Sequence, residues 1–176
     1  MSELTGAMLL AQEAKLDRIT GHMRQAKWAI RQRLAAIPGL AFRNVRDPEG
    51  DSGPFLITLY PSPDIARRFT EALRAEGIAG PAGSLACIPM TQWGLHWTFN
   101  NASLTRRQSN SRDGFPWSHP ANAFHADIDY AAAALPGCKR IHDHGALLTV
   151  ASTLSETDID DIVAAFHKVA AHLLPG

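Results

Sequence analysis

The stretch FLITLYPSPDIARRFTEALRAEG, residues 55–77, decides the fold class. Its first six residues, Phe55 to Tyr60, are mostly β-formers in an almost unbroken apolar run, the pattern of a buried strand. Ser62, Pro63 and Asp64 then supply an N-cap side chain, a proline suited to the first helical position and an acid in the first turn. Ile65, Phe69, Ala72 and Leu73 recur at helical spacing, and Gly77 marks the stop. A strand leading directly into an amphipathic helix predicts a sheet with helices packed on it.

Toward the carboxy terminus the same pairing recurs. Residues 145–150, GALLTV, read as a strand, and a last helix follows over Glu156–Leu173 with Ile159, Ile162, Val163, Phe166, Val169 and Leu173 on one face. Either Thr153 with Glu156 or Ser155 with Asp158 has the spacing of a capping box at its start. Toward the amino terminus, residues 46–53 are turn chemistry throughout, residues 40–45 form a short strand candidate, and Pro38-Gly39 ends whatever helix precedes them. Between residues 78 and 136 short apolar pieces are separated by Gly, Pro, Ser and Asn, and residues 106–114 show no periodicity, as in a surface loop.

Residues 1–36 carry an apolar stripe through Leu9, Leu16, Ile19, Met23, Ala26, Ile30 and Leu34, with Glu13, Lys15, Asp17, Arg18, Arg24, Lys27 and Arg31 assigned to the solvated side. Gly21 is the expected weak point, costing about 1 kcal/mol relative to alanine. An unbroken helix of about 35 residues would extend roughly 50 Å, whereas a domain of this size is about 40 Å across. The large apolar side chains before Gly21 are therefore expected to be exposed in the chain by itself. The predicted architecture is α+β: a long N-terminal helix, then a small antiparallel or mixed sheet with helices on one face.

Bulk composition narrows the function classes. The 176 residues hold 45% hydrophobic and 19% charged side chains, ordinary for a globular protein. Lys plus Arg equals Asp plus Glu at 17 each, so no overall field draws the chain to nucleic acid or acidic membranes. Cys87 and Cys138 have neither zinc-like spacing nor a disulfide framework. No charged leader with an apolar run heads the sequence, no apolar stretch has the length of a membrane span, and no internal repeat is present. A cytoplasmic protein is the expectation.

Several pieces carry a resemblance. They are MSELTGAM at the start, LLAQ at 9–12 and KLDRI at 15–19, then GDSGPFLI at 50–57 with ALRAEGI at 72–78, Trp93-Gly-Leu-His96, and LSETDIDDI at 154–162. In order and spacing they resemble the carboxy-terminal portion of the DegT/DnrJ/EryC1/StrS aminotransferases, pyridoxal-phosphate enzymes many of which aminate keto-sugars. The resemblance implies a linking helix at 1–37, a small α+β domain at 38–176 and a large cofactor-binding domain absent from the chain. It implies pyridoxal 5'-phosphate in the complete enzyme, none bound by this chain alone, and a nucleotide-sugar or cyclitol substrate. The partner would be the large domain or a homodimer mate. The chain would then be a truncation, one half of a split gene, or a reading frame opened at an internal methionine. The alternative is a non-catalytic binding module that kept the small-domain fold. The family's dehydratase branch, which replaces the lysine, stays open.

The chemistry of such an enzyme needs a lysine amine for the cofactor aldehyde, an acid for the pyridine nitrogen and a phosphate cradle. Lys15, Lys27, Lys139 and Lys168 are the lysines, and none stands in the family's Ser-x-x-Lys setting. No catalytic residue is assigned. His96, with Asn100 close by, is the candidate for substrate binding, since the resemblance places Trp93-Gly-Leu-His96 at an active-site mouth; the competing reading is a histidine on a short strand held by a backbone partner. His142-Asp-His144 has the look of a metal pair but shows no third ligand, and solvated charge beside a strand is the preferred reading. Arg106, Arg107 and Arg112 read as a solvated loop before a phosphate rim, and as a rim before a nucleic-acid arm. Trp93, Trp97, Phe99 and Trp117 are expected to form a satellite core beneath that loop.

Overall fold

The computed structural model describes residues 2–81, 83–125 and 127–174. Met1, at the head of the expected long helix, lies outside the described residues, as do Pro175 and Gly176 at the end of the expected small domain. The elements are α1 (Glu3–Glu13), α2 (Leu16–Leu34), β1 (Ala41–Phe42), β2 (Phe55–Leu59), α3 (Pro63–Ala75), β3 (Cys87–Pro89), α4 (Ala102–Thr105), α5 (Pro136–His144), β4 (Gly145–Thr149) and α6 (Glu156–Leu173), with short 3₁₀ turns after β3 and before α5.

The four strands form one antiparallel sheet in the order β1-β2-β4-β3. Its register aligns Leu56, Leu148 and Cys87 in one row and Ile57, Leu147 and Ile88 in the next. Successive residues of a strand face opposite sides, so these rows feed two different cores. The first row packs with Ala26, Ile30 and Leu34 of α2, Phe69 and Leu73 of α3, and Ile159, Val163 and Phe166 of α6. The second row packs with Met90, Trp97, Trp93, Phe99 and Ile141. The three long helices α2, α3 and α6 therefore share one face, as expected, and the aromatic segment covers the other.

Local chemistry explains the well-read elements. Ser62 Oγ accepts from Ile65 N at 3.2 Å with Pro63 at the start of α3. At α6 the capping box is the Ser155–Asp158 pair: Asp158 N donates to Ser155 Oγ and Ser155 N donates to Asp158 Oδ2. Phe69 and Phe166 are fully buried with ring centroids 5.7 Å apart, and Tyr60 lies 4.7 Å from Phe69. Burial pushes the Tyr60 hydroxyl's pKa up, and Thr58 Oγ1 donates to it at 3.1 Å, so this polar pair is satisfied inside the core. Burial likewise pushes the Cys87 thiol up to about 12, which makes it an unreactive core side chain.

Three elements differ from the sequence reading. The N-terminal helix is interrupted at Ala14–Lys15, not at Gly21, which sits within α2 with open space where a Cβ would stand. The interruption falls where the helix leaves the domain, because α1 buries no residue and no packing fixes it to the axis of α2. Residues 142–144 end a helix, α5, and are not part of a strand; Pro136 opens that helix and β4 begins only at Gly145. His96 lies in a 3₁₀ turn, Gly94–His96, and not on a strand. No helix among the described residues is long and apolar enough to cross a membrane.

Candidate functional site

Residues 90–100 position the candidate site. Trp97 is 6% exposed and its Nε1 donates to Met90 O at 2.8 Å, which pins the segment to the sheet. Trp93 meets Trp97 edge-on at 6.0 Å and Phe55 at 5.8 Å, while Phe99 stacks on Trp97 at 5.8 Å. His142 of α5 packs edge-on against both Trp97 and Phe99. On this aromatic base the chain turns three times in succession, at Met90–Gln92, Gly94–His96 and Thr98–Asn100. Trp117 lies apart from it, packed on Tyr130 with its Nε1 donating to Gln108 O.

The structure brings His96 and Asn100 to one place. The imidazole of His96 lies flat on Trp93, with centroids 4.6 Å apart and planes within 6°, and its Nδ1 sits 2.8 Å from Trp93 O. A nitrogen facing a carbonyl carries the proton, so the neutral ring presents Nε2 as an acceptor. Asn100 Nδ2 donates to Gly94 O at 2.9 Å, which leaves its amide oxygen available. Both residues are exposed, and Leu95, next to His96 in the chain, is 76% exposed. The arrangement offers an aromatic-backed acceptor, an amide oxygen and an apolar side chain on two consecutive 3₁₀ turns, groups suited to hydroxyl donors and the apolar edge of a ligand.

Beside it, Asp143 accepts from His142 Nδ1 at 2.7 Å and pairs with Lys139. The Lys139 hydrogen bond, ahead of the opposing pull of desolvation, holds the Asp143 carboxyl below the usual range. His142 and His144 do not act together: His144 Nδ1 is 3.1 Å from Tyr60 O. Among the described residues no group of three or more His, Cys, Asp or Glu is arranged to hold a metal. Arg106, Arg107 and Arg112 are all exposed, and Arg107 donates to Ile128 O.

Sequence reasoning missed one buried polar cluster. Lys27, assigned to the solvated side of the first helix, is 2% exposed and paired with Asp51, whose side chain is 14% exposed. Asp51 Oδ1 also accepts from Gly53 N at 3.1 Å, and Arg24 Nε donates to Asp51 O at 2.8 Å. The signal was present, since Lys27 falls four residues after Met23 and three before Ile30, on the apolar stripe itself.

The lysines bear on the cofactor that the resemblance implies. Lys27 is locked to Asp51, Lys139 to Asp143, and Lys168 to Glu76 at 2.6 Å, while Lys15 stands at the interruption between α1 and α2. None of these settings joins a free buried amine to a phosphate cradle, so the residues of this chain do not fit pyridoxal phosphate and no chemical step is assigned to it.

Comparison with known proteins gives the fold a precedent. The chain superimposes on aminotransferase TlmJ from Streptoalloteichus hindustanus with a TM-score of 0.58 and 16% identity, over 93% of this chain and 35% of that one. Spr1654 from Streptococcus pneumoniae, assigned as a sugar aminotransferase, matches in its PLP form with a TM-score of 0.60 and 14% identity, over 98% of this chain and 36% of that one. The chain thus spans about a third of the length of the solved structures it matches. No family model matches the chain.

Proposed function

We propose that the chain is the small-domain part of a pyridoxal-phosphate aminotransferase of the DegT/DnrJ/EryC1/StrS kind, transferring an amino group to a keto-sugar or cyclitol, and inactive alone. Residues 1–37 would serve as the linking helix and 38–176 as the small domain. The observation that carries this reading is the fold match that takes in 93–98% of this chain but only 35–36% of two aminotransferases. The engaged lysines agree with it, because the missing two thirds would have to supply the cofactor amine. In the complete enzyme, His96 and Asn100 present the substrate-facing turn, His96 accepting a sugar hydroxyl at Nε2 while Trp93 supports its ring.

Three experiments test it. Incubated with pyridoxal phosphate and reduced with borohydride, the chain should yield no stoichiometric lysine adduct; a single lysine modified one-to-one and protected by amino donor overturns the reading. Reading the gene and its neighbours for a large domain with a Ser-x-x-Lys motif then separates the enzyme part from a repurposed binding module, which would lack one. In the complemented or full-length enzyme, His96→Ala should lower turnover at least about tenfold, while stability shifts by no more than about 0.5 kcal/mol, as for an exposed side chain. A lowered melting temperature with activity per folded molecule intact would assign His96 to structure alone.

A further inference from the structure

Helix α2 lays Arg24, Lys27 and Arg31 along one face, at spacings of three and four residues. The connection that follows β1 is pressed onto that face. Gly53 leaves no room for a Cβ against the backbone of Met23 and Arg24, and Arg43 O accepts from Arg31 Nη1 at 3.3 Å. Arg24, Arg31 and Arg43 are all half-buried, and Lys27 is 2% exposed. The whole chain balances 17 basic against 17 acidic side chains, so four cations gathered here are a local excess.

That excess is not neutralised by the described residues. Among them, Asp51 is the one carboxylate in an ion pair with any of the four cations, and Lys27 takes it. Asp47 and Glu49, in the same connection, pair with none of the arginines. Arg24 Nε donates to Asp51 O and Arg31 Nη1 to Arg43 O, both neutral carbonyls. Arg31 is further fixed by rings, its guanidinium carbon 4.8 Å from the Trp28 centroid and 5.0 Å from that of Phe42. Arg43 Nε is buried and has no hydrogen-bond partner among the described residues. The Arg43 charge is felt at the Asp51 carboxyl, so its head group lies in the same neighbourhood. A buried cationic donor without a partner is costly, and folded proteins satisfy such groups.

Charge and donor geometry select the ligand. With Asp51 spent on Lys27, the three arginine charges stand without a counter-charge. A further carboxylate would bring one charge and two oxygens. A phosphoryl group brings about −1.5 to −2 charges near neutral pH and three strong acceptor oxygens. The planar arginine fork meets such oxygens two at a time, with geometric as well as electrostatic fit. Arg24 and Arg31 are already held by carbonyls and rings, so turning their remaining N–H groups to an anion costs little side-chain freedom.

We infer that Arg24, Arg31 and Arg43, backed by Lys27, form a binding site for a phosphoryl group between α2 and the connection that follows β1. Lys27 stays committed to Asp51, so the site offers no amine to an aldehyde, and it does not depend on the functional reading above. The whole chain is titrated with inorganic phosphate and with glucose 1-phosphate at constant ionic strength, and binding is followed by calorimetry and by melting temperature. Saturable one-to-one binding is expected, with a melting temperature that rises with ligand concentration. Arg43→Met should weaken it at least about tenfold. Arg31→Lys and Arg43→Lys keep the charge, and with it the fold, but lose the fork, and each should weaken binding several-fold. Arg112→Met, at an exposed arginine of the 106–114 loop, should leave it unchanged. Tighter binding of glucose 1-phosphate would point to a phosphorylated metabolite and tighter binding of phosphate to the free ion, and both support the site. No saturable binding of either probe up to about 10 mM overturns the proposal. So does binding indifferent to Arg43→Met and to both lysine variants, or weakened as strongly by Arg112→Met, because general surface charge would then be holding the anion.

Discussion

Replacing Gly53 by alanine is expected to cost at least about 3 kcal/mol of folding stability, a large share of the 5–15 kcal/mol typical of a domain. Gly53 has φ +81°, the left-handed region in which a side chain costs about 1–2 kcal/mol. The heavier penalty is steric. A Cβ there would stand 2.5 Å from Arg24 N, 2.6 Å from Met23 C and 2.7 Å from Arg24 Cα, all backbone atoms of α2. A helix backbone cannot rotate aside as a side chain can, so the 46–53 connection would have to lift off α2. That movement would disturb the bonds that Asp51 makes to Arg24, Lys27 and Gly53. Gly77 provides the control: its φ is +99° but nothing lies within 4 Å of the added Cβ, so Gly77→Ala should cost only about 1 kcal/mol. Urea denaturation of both variants measures the difference. Equal losses would mean that backbone strain alone acts at Gly53 and that the connection yields freely.

The contrast between those glycines reflects what a sequence discloses. Helix α3 and helix α6 were legible because their start signals are local: a serine, a proline and an acid within three residues at 62–64, and the Ser155–Asp158 box. Strands β2 and β4 were legible because residues 55–60 and 145–150 are short, almost unbroken apolar runs. The interruption at Ala14–Lys15 was not, since both residues favour helix and only the absence of packing partners sets its place. Nor was α5: its residues 136–144 hold only Ile141 and Cys138 as apolar members, too few to show a period.

The same division holds at the candidate site. His96 and Asn100 were named as residues, but their attachment to Trp93 O and Gly94 O depends on consecutive 3₁₀ turns that leave no periodic trace. Those turns are set by Trp93 and Trp97 reaching the second core, a tertiary demand. The Lys27–Asp51 pair joins residues 24 positions apart, and nothing in either local neighbourhood announces the other. A lysine on an apolar stripe is the one local sign that such a partner must exist.

That pair should show the other large effect. Asp51→Ala leaves the ammonium of Lys27, 2% exposed, without its counter-charge, and a loss of about 3–5 kcal/mol is expected. Asp51→Asn keeps an acceptor for Gly53 N and should lose less. Adding Lys27→Met to Asp51→Asn should recover most of the loss, because an apolar side chain of similar length suits the core around Ile30 and Leu34 better than an unpaired cation. The pH dependence follows from the carboxyl. Burial pulls the Asp51 pKa up, but the Lys27 hydrogen bond, the Gly53 N–H and the charges of Lys27 and Arg43 together hold it below the usual value. A carboxyl whose pKa is lower in the folded state than in the unfolded chain binds its proton more weakly when folded. Its contribution is therefore present above the unfolded value of about 3.9 and is lost as the pH falls through the lower, folded one. Stability measured from pH 7 down to pH 2 should fall in wild type over that acid range, and the Asp51→Asn/Lys27→Met protein should lack this part of the fall. An identical acid limb in both would show that Asp51 titrates in the folded protein as it does unfolded, and that the 46–53 connection is held to α2 by contacts other than the ion pair, such as Arg24 Nε to Asp51 O.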